Sequence, residues 1–464
     1  MRQPKQFVGW IQDWVHKLPN SVFVRQVGVL AGGTGLAQAL MVLVLPILTR
    51  LYTPEDFSVL AVYVSILGII SIAACLRFEI AIPMPERDEE AASLLALALG
   101  SSAIISTLAG IAVYLFPEQI VGLVEQPKLR PYLWLLPLGI WMASSYSATQ
   151  YWATRQKNFS GIAQTRLTQA ISGAGFQVGL GWIGAAPFGL LFGSMINRGA
   201  GLFSLGFRAL KHDRPALRAV SWPAMRRMFR EYDRFPKYST FDSLANTVGI
   251  QFPVIIIAAM AVGPEAGFLI LAMRAMQAPM GFIGGAVAQV YLSRAPEELR
   301  AGNLSNFTVD VLEGLAKTGV GPLLFAGIVA PPVFALVFGE EWLRAGDLVV
   351  WMTPWFIFQF LSSPISMVMH VRNRQKAMLV VTVSGLVLRI GAVGFAVYQD
   401  QQHLSEYYAV SGALFYLGCY WVFSRVAGIN PGEMIRIYGR AAVPLAIWVA
   451  LGIISKFLFE YIRL

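Results

Sequence analysis

Apolar residues come in blocks of about twenty along the whole chain, separated by short polar stretches. At a rise of 1.5 Å per residue, twenty residues cover the roughly 30 Å hydrocarbon core of a bilayer. The pattern predicts thirteen spanning segments, near residues 27–49, 57–82, 91–116, 131–153, 165–184, 187–207, 238–261, 265–291, 317–338, 347–371, 377–397, 405–426 and 440–461. Backbone facing lipid must satisfy its own hydrogen bonds, so these segments are helices and the fold class is all-α and polytopic. Ahead of the first block, residues 1–26 place Phe7, Trp10, Ile11 and Trp14 at helical spacing opposite Gln12, Asp13 and Lys17. That stretch reads as an amphipathic helix on the membrane surface or as a loosely ordered tail. The first long block begins near Val27 and is itself of spanning length, so targeting is expected to rest on it rather than on a cleaved leader.

Composition sharpens this picture. Of 464 residues, 56% are hydrophobic and 13% charged, against about a quarter charged in soluble domains, so a water-soluble fold is excluded. Cys75 and Cys419 both lie in apolar runs and read as small hydrophobes, with neither a disulfide nor a metal site implied. Threading the helices from a cytoplasmic amino terminus puts twenty-six lysines and arginines on the inner side and four on the outer side. Such asymmetry sets the orientation. It also accounts for the formal charge of +10 without any nucleic-acid partner.

The chain repeats itself. RLYTPEDFSVLAVYV, centred on Pro54 and Glu55, matches MAVGPEAGFLILAMR, centred on Pro264 and Glu265, and Arg155-Gln156-Lys157 falls on Arg374-Gln375-Lys376. Two parallel six-helix lobes follow: residues 27–207 and 238–427, joined by a basic linker over 208–237 and followed by an extra carboxy-terminal helix within 428–464. At the Pro-Glu turns, Thr53 is expected to cap the helix, Pro54 to take its first position, and Glu55 and Asp56 to face the positive end of the dipole.

Three arginines, Arg198, Arg274 and Arg389, lie deep in apolar runs. A charge at the bilayer centre costs at least roughly 2.5–3.5 kcal/mol, so such residues face protein or water. No aspartate or glutamate lies at comparable depth, because Glu79, Asp242 and Glu313 fall near the inner ends. A cationic cavity results, suited to a phosphate or diphosphate that guanidinium groups grip in bidentate fashion. The alternative is that each arginine caps buried carbonyls or reaches a carboxylate. Gly189, Gly193, Asn197 and Gly201 form a small-residue stripe beside Arg198, as do Gly28 and Gly32 on the first helix, which predicts close helix packing. Arg77 and Glu79 interrupt the end of the second run. Two apart on a continuing helix they would point to different faces. Snorkelling explains Arg77; for Glu79 the expectation is a cytoplasmic gate, engaging Arg234 or Lys237 of the other lobe.

The stretch LTRLYTPEDFSVLAVYVSILGIISIAACLRFEIAIPMPERDEEA resembles the opening helices of Wzx-type polysaccharide flippases, members of the multidrug/oligosaccharidyl-lipid/polysaccharide (MOP) exporter superfamily. The resemblance is best over residues 25–100, and the two-lobe repeat extends it to about 427. It implies twelve core helices around a cavity opening alternately to each side of a bacterial inner membrane. The implied cargo is an undecaprenyl-diphosphate-linked oligosaccharide bound for surface polysaccharide, with polymerase and export machinery as partners. Helix position, not a shared motif, places Arg274 and Arg77 on cavity-lining helices. No cofactor is expected; coupling to protons or sodium would require a titratable carboxylate, for which Asp242 and Glu79 are the candidates. The alternatives left open are a lipid II flippase or another lipid or drug exporter of the same fold. A membrane-embedded glycan enzyme is disfavoured, because His16, His212, His370 and His403 are scattered and the 208–237 loop is basic.

Overall fold

The computed structural model describes residues 22–372 and 374–463, so the surface helix expected over 1–26 falls almost wholly outside the described residues. Within them the chain is helical throughout, without a strand. Helix α1 runs Val22–Leu43 and, after a break enforced by Pro46, continues as Leu45–Leu51. There follow α2 (Pro54–Ala74), α3 (Asp88–Leu115), α4 (Leu135–Arg155) and α5 (Phe159–Trp182). Helix α6 is Phe188–Gly199 continued by Gly201–His212. The second half comprises α7 (Thr240–Met260), α8 (Glu265–Arg300), α9 (Leu304–Leu315 and Gly321–Phe338, joined through a π-turn), α10 (Leu343–Ile365), α11 (Gln375–Gln399) and α12 (Leu404–Ala427). Last comes α13 (Pro431–Arg463).

Each predicted run corresponds to one numbered helix, except that the run 57–82 breaks after Ala74 into α2 and the short helix Phe78–Ala81, giving two six-helix lobes and one extra helix. Eight of the described helices are long and apolar enough to cross a membrane on composition alone. Helix α5, which carries Gln164, Arg166, Gln169 and Gln177, falls short; its Arg166 reaches Thr34 of α1 and its Gln177 the Leu190 carbonyl of α6.

Helix α2 shows how composition dictates position. A helix that is apolar all round must be buried all round, and Phe57, Val59, Leu60, Ala61, Val62 and Tyr63 have no exposed surface. It packs against α4 of its own lobe and against α7 and α8 of the other. At the opposite extreme is α13. It lies along α9, with Trp448 seated over Gly321 and Ile328 against Gly452. Its other face exposes Val443, Ile454, Phe457 and Tyr461. An apolar face of that size on a helix of 33 residues, about 50 Å long, belongs in lipid.

The glycine stripe packs as expected at Gly193, where an added Cβ would stand 2.4 Å from Gln177 and 2.6 Å from the Gly173 carbonyl on α5. Gly32, by contrast, faces open space.

The segment between α6 and α7 is structured. Short helices Arg214–Arg218 and Trp222–Glu231 dock on the first lobe, where Met228 joins Phe78, Ala92 and Trp152 in a separate apolar cluster. The bundle thus has a linker end, near Trp222–Glu231, and a turn end, which carries Pro54 and Pro264.

Candidate functional site

The turn end brings the two halves of the repeat together. Thr53 caps the start of α2 as expected, and Asp56 answers it to close a capping box. The second Pro-Glu turn lacks that box: Gly263 takes φ +74°, and Glu265 turns aside to Arg344. Ser58, on the first turn of α2, accepts a hydrogen bond from the Gly267 N–H of α8 at 2.9 Å. Only glycine fits there, since a Cβ on Gly267 would lie 2.0 Å from the Pro54 carbonyl oxygen. Beside it, Trp342 donates from its indole to the Thr49 carbonyl at 3.3 Å and meets the Phe57 ring edge-on at 4.9 Å. Gln126 reaches the Ala258 carbonyl at 3.0 Å. The lobes are closed on each other at this end.

Deeper in, α2, α6 and α8 converge. Arg198 of α6 keeps exposed surface although it lies deep in an apolar run. Arg274 sits about 13 Å along α8 from Glu265 and close enough to Arg198 for the two charges to repel. One of its terminal guanidinium nitrogens is buried with no hydrogen-bond partner. Tyr63 of α2 is the group acting most directly on Arg198, and its hydroxyl donates to the Leu135 carbonyl at 3.3 Å. Neither arginine forms an ion pair among the described residues. Nearby, Ser65 of α2 donates to Gln251 of α7 at 3.0 Å, a polar contact between lobes in the bundle middle. The sequence reading missed Tyr63, Ser65 and Gln251. Isolated polar groups in apolar helices were the available signal.

Arg389 departs from the expected lining role. It is 2% exposed and stacks over Phe415 at 4.2 Å, within reach of the Gly249 carbonyl at 3.4 Å. The aromatic faces of α12 and a backbone carbonyl engage it, while its Nε is buried without a hydrogen-bond partner.

At the linker end the expectation that Arg77 and Glu79 cannot pair with each other is corrected. The helix stops at Ala74, and Leu76 and Arg77 take left-handed φ values of +50° and +60°. This reversal folds Arg77 back, so its Nη1 donates to Glu79 Oε1 at 3.3 Å. Sequence spacing predicts opposite faces only where the helix continues. Glu79 is 3% exposed, and its second oxygen has no partner. The expected partners lie elsewhere: Lys237 pairs with Asp233 at 2.5 Å, and Arg234 and Asp242 are exposed. Short helix Phe78–Ala81 does abut residues 235–239, so the lobes meet here through packing. Arg155, from the repeated Arg-Gln-Lys motif, clasps the loop before α3 through the Pro85 carbonyl at 2.5 Å and Asp88 at 2.8 Å.

No metal-binding group of histidine, cysteine or carboxylates occurs among the described residues.

Residues 47–347, more than half of the chain, match the family described as polysaccharide biosynthesis protein. The chain belongs to that family. No curated protein sequence matches it. Among solved structures it is similar to "Lipid II flippase MurJ, inward closed conformation", at TM-score 0.69 and 14% identity, covering 94% of this chain and 98% of that one. It is also similar to an inward-facing multidrug resistance MATE family transporter of the MOP superfamily, at TM-score 0.57 and 15% identity, over 87% and 95%. This member of the polysaccharide biosynthesis protein family therefore has the MOP transporter fold.

Proposed function

We propose that this protein is a flippase that moves a polyprenyl-diphosphate-linked oligosaccharide, undecaprenyl-linked in a bacterial inner membrane, from the cytoplasmic to the outer leaflet. One observation carries the reading. Arg198 and Arg274, one from each lobe, lie close enough for their charges to repel, and neither forms an ion pair among the described residues. Two like charges held together in low dielectric repel strongly. A ligand bearing about two negative charges relieves that repulsion, and a diphosphate offers that charge with oxygens spaced for guanidinium forks. The saccharide then occupies the water-filled space, while the prenyl tail stays in lipid.

The lysine and arginine asymmetry places the linker end in the cytoplasm. The turn-end closure then corresponds to a state shut toward the outside. Glu79, buried with one oxygen unpartnered, is better placed for coupling to protons or sodium than the exposed Asp242.

The similar MurJ structure is that of a lipid II flippase, so lipid II transport is the second reading. Export of cationic drugs fits poorly with a chamber whose charges are both positive. The deciding experiment is flipping of a fluorescent polyprenyl-diphosphate oligosaccharide in proteoliposomes. Accelerated flipping that Arg274→Gln abolishes supports the reading. Equal flipping with and without the protein overturns it.

A further inference from the structure

The linker between the lobes carries cations that the protein itself does not neutralise. Lys211, Arg214, Arg218, Arg226 and Arg230 are all exposed, and among the described residues none of the five forms an ion pair. Arg214 donates to the Leu210 carbonyl at 3.0 Å. Elsewhere at the same end cations do meet carboxylates: Arg155 holds Asp88 at 2.8 Å, and Arg440 holds Glu313 at 2.9 Å. The carboxylates near the linker are engaged with other groups. Asp213 accepts from the Trp152 indole at 2.8 Å, and Glu90 faces Arg227 at 3.8 Å.

The arrangement of these cations is that of an interfacial helix. In Trp222–Glu231, positions i, i+4 and i+8 fall on one face, which gathers Trp222, Arg226 and Arg230. Met228 lies about 160° round the helix from both arginines and is buried against the first lobe, in the cluster with Phe78 and Trp152. The face turned away from the protein thus presents two guanidinium groups and an indole that is 73% exposed.

This face adjoins lipid. On α6, Phe203, Phe207 and Leu210 recur at i, i+4 and i+7 and are each more than half exposed, as on a helix side set in hydrocarbon. That side ends at Leu210, and Lys211, Arg214 and Arg218 follow within the next eight residues. Tyr238 and Phe241, flanking the start of α7, are exposed as well. Hydrocarbon side, aromatic rings and cations succeed one another as they do at a bilayer interface.

We propose that this surface docks on anionic phospholipid headgroups, of the phosphatidylglycerol class, in the leaflet at the linker end. Lys211, Arg218, Arg226 and Arg230 take the headgroup phosphates, and Trp222 enters the interface. An acidic protein would meet the same cations, but it would leave unexplained an exposed indole next to a lipid-facing helix. Because Met228 shares its cluster with Phe78, the residue after Arg77, the charge of the leaflet bears on the end of the bundle that holds the Arg77–Glu79 pair. None of this depends on what the central arginines bind.

The test uses the purified full chain carrying an environment-sensitive fluorophore at Ala219→Cys, an exposed position three residues before Trp222; Cys75 and Cys419 are buried and stay in place. The chain is reconstituted in nanodiscs of phosphatidylcholine, alone or with increasing phosphatidylglycerol. Added phosphatidylglycerol should move the label into a less polar environment, and salt should return it, because exposed charges are screened. Each cation near an anionic surface is worth about fivefold in affinity, so Arg226→Gln with Arg230→Gln should raise the phosphatidylglycerol fraction required by about fivefold or more at an unchanged melting temperature. Identical emission in both kinds of disc overturns the proposal. So does a phosphatidylglycerol response that the double variant keeps in full or that high salt leaves in place. A larger response to soluble polyglutamate than to phosphatidylglycerol discs also overturns it, in favour of an acidic protein partner. Should the double variant fail to fold, the salt titration of the parent chain decides alone.

Discussion

Gly267 and Ser58, lying three and four residues beyond corresponding Pro-Glu turns, join across the lobe interface through a 2.9 Å hydrogen bond. The two copies of one sequence motif are in contact with each other at one end of the bundle. A parallel repeat produces this arrangement when its axis runs along the membrane normal.

That contact tolerates no side chain. Gly267→Val should drive the Pro54 carbonyl away and shift the protein out of the state closed at the turn end. Overpacking of this kind costs about 1–3 kcal/mol. A cysteine replacing Arg274 should then react faster with an impermeant thiol reagent applied from the turn side. Unchanged labelling would show that this end is already open in the membrane.

The central arginines should separate from Arg389 by phenotype. Arg198→Gln and Arg274→Gln should each lower flipping by about tenfold or more while leaving abundance and melting temperature unchanged, because each removes a charge-assisted contact worth about 1.5–3 kcal/mol. Arg389→Gln should instead lower the melting temperature, since it abandons the ring of Phe415 and the Gly249 carbonyl. Flipping and immunoblot measured together distinguish the two patterns.

At the linker end, Arg77→Glu combined with Glu79→Arg should recover much of the abundance that either single change loses. Pairing Glu79→Lys with Lys237→Glu should recover none, because Lys237 faces Asp233. Recovery by the second pair would show that Glu79 reaches the other lobe in the resting state.

Arg344 bridges Glu265 at 2.8 Å and Glu406 at 2.6 Å, and Arg344→Met leaves both carboxylates buried without their cation. Breaking a buried pair by removing one partner costs about 3–5 kcal/mol, so the variant should melt markedly lower. Restoration by Arg344→Met together with Glu265→Gln and Glu406→Gln would confirm that uncompensated charge, not lost volume, is the cause.

Helix number and the repeat were legible because bilayer thickness imposes a period that composition cannot hide. What each arginine touches was not. Arg389 and Arg274 read alike in sequence, yet aromatic residues on the next helix cover the first, while no ring or ion pair among the described residues covers the second. The Arg77 pairing was hidden by two residues in left-handed conformation, which no glycine or asparagine announced. The Arg344 bridge joins residues 79 and 62 positions distant, beyond the reach of any local pattern.

The contacts that shut the turn end are an amide to a hydroxyl, an indole and a carboxamide each to a carbonyl, and the edge of one aromatic ring against the face of another, all of them neutral. Ionic strength therefore has little purchase on whether that end parts, whereas the cargo's grip on the guanidinium groups weakens as salt screens it. Raising salt should loosen the passenger without moving the door.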